Sequence, residues 1–186
     1  MQAIVLARLG KPRLPVPGTD PWYAQPTDPA LGVMTDFRER ASVTVSDSAT
    51  IDQALEHMKH TGVRCAFAVD DEHHAVSGLI TAYDIMGEIP MRHMRAQRVE
   101  RRNVLVSDIM QRTPDWLVAD IRDIETANVG AIAELFDRTS VTHIPVVEHI
   151  GGGERRLRGL LSAAKVRRLL SRHRDVLAYR QDREAG

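Results

Sequence analysis

The sequence lacks the features of several protein classes. It carries a single cysteine, Cys65, so it can form no internal disulfide, and this favours a reducing, cytoplasmic setting. Aromatic residues make up only 4%, and 25 basic side chains are balanced by 25 acidic ones. No overall field therefore draws nucleic acid or an anionic membrane to the surface. No segment approaches the roughly 18 apolar residues of a membrane span. Nucleic acid and membrane are thus not expected as partners.

Prolines are crowded into one stretch near the start of the chain. Six of the nine lie between Pro12 and Pro29, where missing amide donors and fixed φ angles exclude a regular helix or a central strand. Residues 1–30 are therefore predicted to be an extended arm. Because Trp22 and Tyr23 are large and aromatic, we expect the arm to lie on a surface of its own chain or of a partner.

Past the arm, one apolar pattern occurs twice. An amphipathic helix is predicted by four apolar residues at i, i+3, i+4 and i+7, namely Ile51, Ala54, Leu55 and Met58. Thr50 and Gln53 can supply its capping box. Seventy-eight residues later the same spacing recurs at Val129, Ile132, Ala133 and Phe136. Asn128 is the second N-cap. A chain of 186 residues is long enough for such a pair of fused repeats.

Each predicted helix leads into two short strands and a second helix. These strands are placed at 65–69 and 77–80 in the first copy and at 143–147 and 158–161 in the second. An earlier strand is predicted at 42–45, with its counterpart near 115–118. The basic run between the copies, residues 91–103, is predicted to be a linker whose arginines line one face of a helix.

Five short motifs stand at matching places in the two copies. They are "VMTDF" and "SDIM" at the openings, "HIPVVE" in copy two, and "GLITAYDI" and "GLLSAAKV" at the last strand-to-helix junctions. In this order they resemble the cystathionine-β-synthase (CBS) domain, whose tandem pairs form the Bateman module. The resemblance implies an α+β fold in which CBS repeat 1 (31–90) and CBS repeat 2 (104–171) pack as a pseudo-twofold pair. Residues 172–186 form a C-terminal tail. Copy one departs from the family at Phe67, where copy two keeps the usual proline as Pro145.

Thr81 and Asp84, three residues apart at the start of a predicted helix, have two interpretations. They can form a capping box in which hydroxyl and carboxylate satisfy helix amides. Alternatively, the helix N-terminus can favour a phosphate while the carboxylate accepts the hydroxyls of a ribose. In the family that the chain resembles, residues at this spacing contact ribose and phosphate of adenosine nucleotides. The strand before them, here Ala66, Phe67 and Ala68, then forms an apolar wall for adenine.

The second copy keeps Ser162 but has Lys165 in place of the acid. A lysine in the first helical turn opposes the helix dipole, at a cost of about 0.3 to 1 kcal/mol if exposed. Lys165 therefore marks either a site that has lost ribose binding or a cation that faces a phosphate. The expectation is one competent site around Thr81 and Asp84 and one degenerate or altered site. The residues of that second site are Ser162, Lys165, His143, Ile144 and Pro145.

Other motifs carry no function of their own. "SAAK" (162–165) matches the Ser-x-x-Lys of penicillin-binding enzymes, but the companion motifs of that family are missing. His57 and His60 lie one helical turn apart without a third ligand at a recognised spacing, so no metal is expected. Nothing in the sequence assembles a nucleophile, a base and an oxyanion site, and we do not expect an enzyme.

The resemblance therefore implies a stand-alone regulatory module. It would sense AMP, ADP, ATP or S-adenosylmethionine between its repeats, require no cofactor, and act on a separate, unknown protein. A purely structural or dimerisation module with empty clefts stays open as the alternative. By the same likeness we expect a homodimer formed through helices. Its exposed apolar contacts would be Met86, Ile89, Met91, Leu169 and Leu170.

Overall fold

The computed structural model describes residues 21–72, 75–151 and 154–184, which form two four-stranded sheets flanked by helices. The strands are β1 (Thr35–Asp36), β2 (Thr44–Ser46), β3 (Cys65–Val69), β4 (Val76–Thr81), β5 (Gln111–Arg112), β6 (Ala119–Asp120), β7 (His143–Gly151) and β8 (Glu154–Ser162). The helices are α1 (Ile51–Thr61), α2 (Ala82–Met86), α3 (Ile89–Gln97), α4 (Val106–Ile109), α5 (Ile121–Thr126), α6 (Val129–Thr139) and α7 (Ala163–Glu184).

The first long helix of each copy forms where its apolar spacing predicts it. At α1, the hydroxyl of Thr50 accepts the N–H of Gln53 at 3.3 Å, and the Gln53 side chain accepts the N–H of Thr50 at 2.9 Å. Gly62, at φ +71°, ends this helix in the left-handed conformation that glycine adopts without strain. At α6 the carboxamide of Asn128 accepts the N–H of Ala131 at 2.9 Å. Both predicted caps are confirmed.

The two sheets have the same connectivity. In the first, β2 is parallel to β3, and β3, β4 and β5 are antiparallel neighbours. In the second, β6 is parallel to β7, and β7, β8 and β1 are antiparallel neighbours. The sheet faces meet through the side chains of Phe67, Leu79 and Leu160. The predicted α+β fold of two strand-helix-strand-strand-helix repeats is therefore confirmed.

Each sheet is completed by a strand from the opening of the other copy. We call the sheet β2-β3-β4-β5 with its helices the first unit, and the sheet β1-β8-β7-β6 with its helices the second unit. Val33 and Met34, just before β1, are buried in the core of the second unit, whereas Val104 and Val106 are buried in that of the first. The repeat boundaries 31–90 and 104–171 stay predictions about the sequence, because each core draws on residues from both segments.

The exchanged strands run close over two glycines at equivalent positions. A Cβ atom added to Gly78 would lie 2.6 Å from Sδ of Met110 and 2.7 Å from the carbonyl oxygen of Gln111. One added to Gly159 would lie 2.7 Å from Sδ of Met34 and 2.7 Å from the carbonyl oxygen of Thr35. Both glycines therefore leave room for the backbone of a strand that arrives from the other copy.

Two early strands differ from their predicted positions. β2 begins two residues later than expected, and the strand expected near 115–118 lies instead at Ala119–Asp120. Pro114 opens a 3-10 turn at Thr113–Asp115, which delays the strand. The expectation that the arginines of residues 91–103 line one helix is wrong, because α3 ends at Gln97 and the residue after it, Arg98, has a φ of +56°. Arg101 then pairs with Asp52 at 3.0 Å rather than continuing a helical stripe.

The described end of the arm lies on the second unit. The N–H of Ala24 donates to the carbonyl of Leu169 at 3.1 Å, and Ala24 is buried. The ring of Tyr23 stacks on that of His173 with centroids 5.8 Å apart. The described end of the arm thus lies on its own chain, which is one of the two surfaces expected for it. Residues 1–20, with three of the arm's six prolines, lie outside the described residues.

A cluster of ion pairs fastens β1 to the β7–β8 hairpin. The carboxylate of Asp36 accepts a hydrogen bond from the guanidinium of Arg158. The carboxylate of Glu148 accepts a hydrogen bond from Arg156 at 2.7 Å and forms an ion pair with Arg38. Arg158 and Glu148 are 9% and 7% exposed. Burial alone would raise the pKa of Asp36, but the hydrogen bonds from Arg158 and Arg38 and their charges lower it below 3.8.

Replacing Gly78 or Gly159 by alanine should lower the free energy of unfolding by about 1 to 3 kcal/mol, because the added methyl group forces the exchanged strand outward. Gly32→Ala is the matched control, since a Cβ there meets nothing within 4 Å. Urea denaturation measures all three variants. Equal stability of the Gly78 and Gly32 variants would contradict the tight crossing.

Acid should weaken the second unit through this cluster. The hydrogen bond from Arg156 lowers the pKa of Glu148 below its usual value of 4.5, against a smaller opposing effect of burial. For Asp36 burial is the largest single effect and raises the pKa, but the hydrogen bonds and charges of Arg158 and Arg38 together lower it below 3.8. Carboxyls with a depressed folded-state pKa contribute stability that is complete above their unfolded values and is lost as the pH falls below them. Urea denaturation from about pH 7 to pH 3 should show this loss. In Arg158→Met the acid-dependent slope should shrink; an unchanged slope would contradict the assignment.

Candidate functional site

Thr81 and Asp84 form the capping box of α2. Oδ2 of Asp84 accepts the N–H of Thr81 at 2.9 Å and its hydroxyl at 2.7 Å, and the N–H of Asp84 donates to the Thr81 hydroxyl at 3.1 Å. Thr81 and Asp84 are 5% and 8% exposed. The structural interpretation of this pair is confirmed. Oδ2 therefore serves the cap, and the residue is nearly buried.

The three residues of the predicted adenine wall do not share a face. Ala66 and Ala68 lie in the core of the first unit, at 1% and 0% exposure. Phe67 points to the other side of β3, where its ring centroid is 5.5 Å from that of Phe37 and 5.9 Å from that of Trp116. Because side chains alternate along a strand, only Phe67 reaches the space between the two sheets.

The predicted second site is divided in the same way. Ile144 is buried in the core of the second unit, whereas His143 and Pro145 point to the opposite face of β7. Ser162 is half-buried and stands opposite His143 in the β7–β8 register. Nζ of Lys165 donates to the carbonyl of Met34 at 3.4 Å, in the exchanged segment before β1. The five residues therefore do not line one surface, because Ile144 belongs to the core.

A small, partly open cleft lies between the units; its cavity volume is about 30 Å³, and about 300 Å³ when the space open to solvent is counted. The first unit provides residues from β4 and β5, the second provides residues from β7 and just before it, and the segment after β5 provides the rest. The lining residues are Leu79, Gln111, Asp115, Trp116, Leu117, Val141, His143 and Pro145. The indole N–H of Trp116 donates to the carbonyl of Gln111 at 3.1 Å, which fixes the ring beside β5.

His143 connects the cleft to the capping box. Burial lowers the pKa of its imidazole below 6.5, and the negative charge of Asp84 opposes that effect only in part. His143 is therefore neutral at pH 7, and Asp84 lies close enough to act on its charge. Burial also raises the pKa of the Cys65 thiol to about 11, with a further contribution from Asp84. This thiol is protonated and unreactive at neutral pH.

The pseudo-twofold pair is asymmetric at this interface. Phe67 in β3 occupies the position that Pro145 occupies in β7, and its ring is 3% exposed against Phe37. His143 and Pro145, which belong to the predicted degenerate site, line the cleft described above. Asp84, the acid of the predicted competent site, lies close to His143.

Six of the eight lining residues were not predicted from the sequence. Leu117 is 57% exposed, and with Trp116 and Val118 it forms an apolar group in a polar, proline-containing segment. An aromatic and two aliphatic residues without helical or strand spacing are a signal of a binding surface. The strand predicted near 115–118 covers the same residues and obscures that signal.

The apolar residues predicted for dimerisation differ in exposure. Met86 and Met91 are exposed at 68% and 48%, whereas Leu169 is 1% exposed and belongs to the core of the second unit. Ile89 and Leu170 are partly buried against the two cores. The expectation that all five are exposed is wrong, because α7 uses its apolar face to cover the second sheet; the homodimer itself stays a prediction.

Two further properties concern only the described residues. Within residues 21–72, 75–151 and 154–184, no three His, Cys, Asp or Glu side chains converge in a way that could hold a metal ion. In the same ranges, no helix combines the length and the hydropathy that crossing a bilayer requires.

Residues 32–90 match the family model of the CBS domain. CBSX2 from Arabidopsis thaliana, solved in complex with AMP, has 22% identity and a TM-score of 0.50 over 76% of this chain and 94% of its own. A conserved protein of Pyrococcus horikoshii has 18% identity and a TM-score of 0.52, over 76% of this chain and 91% of its own.

GMP reductase from Trypanosoma brucei has 15% identity and a TM-score of 0.50, over 74% of this chain but only 26% of the enzyme. The comparison with curated protein sequences gives no match. Residues 32–90 therefore match the CBS domain, and the chain has the fold of a tandem CBS pair, the Bateman module.

Proposed function

We propose that this protein is a regulatory CBS pair that binds an adenosine compound in the cleft between its two units. The observation that carries the proposal is the cleft itself, an open space with apolar walls and a few polar groups at the junction of two sheets. Ligand sites of this composition and place are common in proteins. The AMP complex of CBSX2 supports an adenosine compound as the ligand.

The cleft offers complementary surfaces to a purine nucleoside. The side chains of Leu79, Leu117 and Pro145 provide apolar contact, and the ring of Trp116 provides an aromatic face. The carboxamide of Gln111 and the neutral imidazole of His143 can each donate and accept hydrogen bonds. A base held between these groups would contact both sheets at once.

A sensor role follows from the position of the cleft. A ligand shifts an equilibrium between two arrangements only by its difference in affinity for them. Because residues from both units line the space, a bound nucleoside favours the arrangement in which they make contact with it together. The regulated protein would read that arrangement, either from a monomer or from the homodimer.

A structural module without a ligand is the second candidate, and one observation favours it. The Asp84 carboxylate is engaged in its own helix cap and is 8% exposed. Binding of a ribose by Asp84 would require this side chain to share its oxygens between the cap and the sugar. The two candidates differ in whether any adenosine compound raises the melting temperature, since a ligand at 100 times its Kd stabilises by about 2.7 kcal/mol.

Leu117→Ala should weaken binding of the adenosine compound by up to about tenfold, because it removes apolar contact from the wall of the cleft. Leu117 is 57% exposed, so the substitution should leave the fold intact. Leu31→Ala is the matched control, a leucine 39% exposed in the 3-10 turn Ala30–Val33. Calorimetric titration with adenosine, AMP, ADP, ATP and S-adenosylmethionine measures the effect. Equal affinities for both variants would place the ligand elsewhere.

Asp84→Ala separates capping from binding. Asp108 has the same capping role at α4, where its Oδ2 accepts the N–H of Leu105 at 2.8 Å. Both Asp84→Ala and Asp108→Ala should lower the free energy of unfolding by about 1 kcal/mol. If Asp84 also holds the sugar, only Asp84→Ala should lose affinity, by tenfold or more at a temperature where both variants are folded. Unchanged affinity in Asp84→Ala would restrict that carboxylate to its cap.

A further inference from the structure

The outer face of α2 and α3 in the first unit exposes large apolar side chains. Tyr83 and Met86 on α2 are 81% and 68% exposed, the highest values among the exposed large apolar residues of the described chain. Met91 on α3, which packs against α2, is 48% exposed. Large apolar side chains exposed on adjoining helices are typical of a surface that a partner covers.

The same face carries arginines without ion pairs. Arg92, Arg95 and Arg98 are exposed, and within the described residues none of them forms a salt bridge. Arg95 follows Met91 by one helical turn and Arg92 by three residues, so these side chains are neighbours on the helix surface. Glu88, the N-cap of α3, is exposed as well, and it can balance only one of the three positive charges.

The acids on the elements that adjoin α2 and α3 are engaged with other basic side chains. Their contacts are Asp52 with Arg101 at 3.0 Å, Glu56 with Lys59 at 3.3 Å, Glu100 with Arg102 at 2.8 Å and Asp108 with His93 at 3.5 Å. Each acid of α1, of the turn at 100–103 and of α4 thus already has a basic contact. The outer face of α2 and α3 therefore keeps a net positive charge beside its apolar groups.

We propose that this surface docks an acidic amphipathic segment of a separate protein. We call it the α2–α3 face; its residues are Tyr83, Met86, Met91, Arg92, Arg95 and Arg98. The apolar side of the segment covers the tyrosine and the methionines, and its carboxylates pair with the arginines. The proposal gives a chemistry to the protein partner, and it is independent of any ligand in the cleft.

Three other occupants fit the α2–α3 face less well. A second copy related by a twofold axis presents the same face, so that arginines would meet arginines. A bilayer requires an apolar helix side that can be inserted, but α3 packs Ile89 and Met94 against the first core and leaves only Met91 outside. A nucleic acid binds chiefly through phosphate contacts and would leave the exposed methionines uncovered.

Fluorescence anisotropy with a labelled synthetic helix tests the docking on the full chain. The helix carries leucines at i, i+3, i+4 and i+7 and glutamates on its other side. It should bind saturably, and its affinity should fall by about tenfold or more between about 0.05 M and about 0.5 M salt, because salt screens exposed charges. Absence of saturable binding, or equal binding of the same helix with lysines in place of glutamates, would overturn the proposal.

Polyuridylic acid and vesicles of phosphatidylcholine and phosphatidylserine are the competing probes. Neither should displace the labelled helix at an equal concentration of negative charge, since neither supplies an apolar helix side that matches the α2–α3 face. Displacement by either probe at that concentration would assign the face to nucleic acid or to a membrane, and the docking proposal would be wrong.

Charge reversal locates the docking site. Arg92→Glu and Arg95→Glu should each weaken binding of the acidic helix by about tenfold or more, since an attractive contact becomes a repulsive one. Met86→Ala should weaken it several-fold through lost apolar contact. Arg138→Glu, at an exposed arginine of α6 in the second unit, is the matched control and should leave the affinity unchanged. Equal affinities of the Arg95 and Arg138 variants would place the docking on another surface and refute the proposal.

Sedimentation velocity separates a foreign partner from a second copy. Arg95→Glu should have the same oligomeric state as the unaltered chain, because the α2–α3 face is not expected to contact itself. Dissociation of a dimer in this variant alone, with Arg138→Glu unaffected, would make the face an interface between copies and would overturn the proposal.

Discussion

Close contact between two glycines and two exchanged strands holds the two halves of this protein together. β5 can pair with β4 only because Gly78 leaves space for Met110 and the backbone of Gln111. In the same way, β1 can pair with β8 only because Gly159 leaves space for Met34 and the backbone of Thr35. Each core then includes residues from the opening of the other copy. Neither unit is complete alone, so the relative position of the sheets, and hence the cleft between them, follows from the pairing of these short strands.

Much of the fold could be predicted from local pattern. The helix spacing at Ile51 and Val129, the caps at Thr50 and Asn128, and the strand at Cys65–Val69 depend on interactions within a few residues of each other. The strand exchange could not be predicted in this way, because it depends on contacts between residues far apart in the sequence, such as Asp36 with Gly159 and Gly78 with Arg112. The sequence pattern also does not predict α5, which lies between β6 and α6 in copy two. Copy one passes from β2 to α1 through residues 47–50 alone, so α5 accounts for the longer approach in copy two.

The candidate site was predicted less well, for a physical reason. Residues adjacent in sequence were grouped as one wall, but side chains alternate along a strand, so Ala66, Ala68 and Ile144 went to the cores while Phe67 and Pro145 reached the interface. The capping box of Thr81 and Asp84 has the same sequence signature whether or not it also binds a ligand. Its local geometry was predictable, and its exposure depended on how the second sheet packs over it.

The two pseudo-equivalent positions of the interface carry residues of different size. A phenylalanine at position 67 fills its side of the interface against Phe37, whereas the smaller Pro145 leaves space on the other side, beside Trp116 and Leu117. The segment that carries Trp116 and Leu117 follows directly from the exchanged strand β5, and the indole bonds the carbonyl of Gln111 in that strand. A ligand in this space therefore contacts the strand that completes one sheet and, through His143, the face of the other. Coupling between ligand binding and the arrangement of the two units then needs no separate pathway, because the groups that would hold the ligand include the strand that holds the units together.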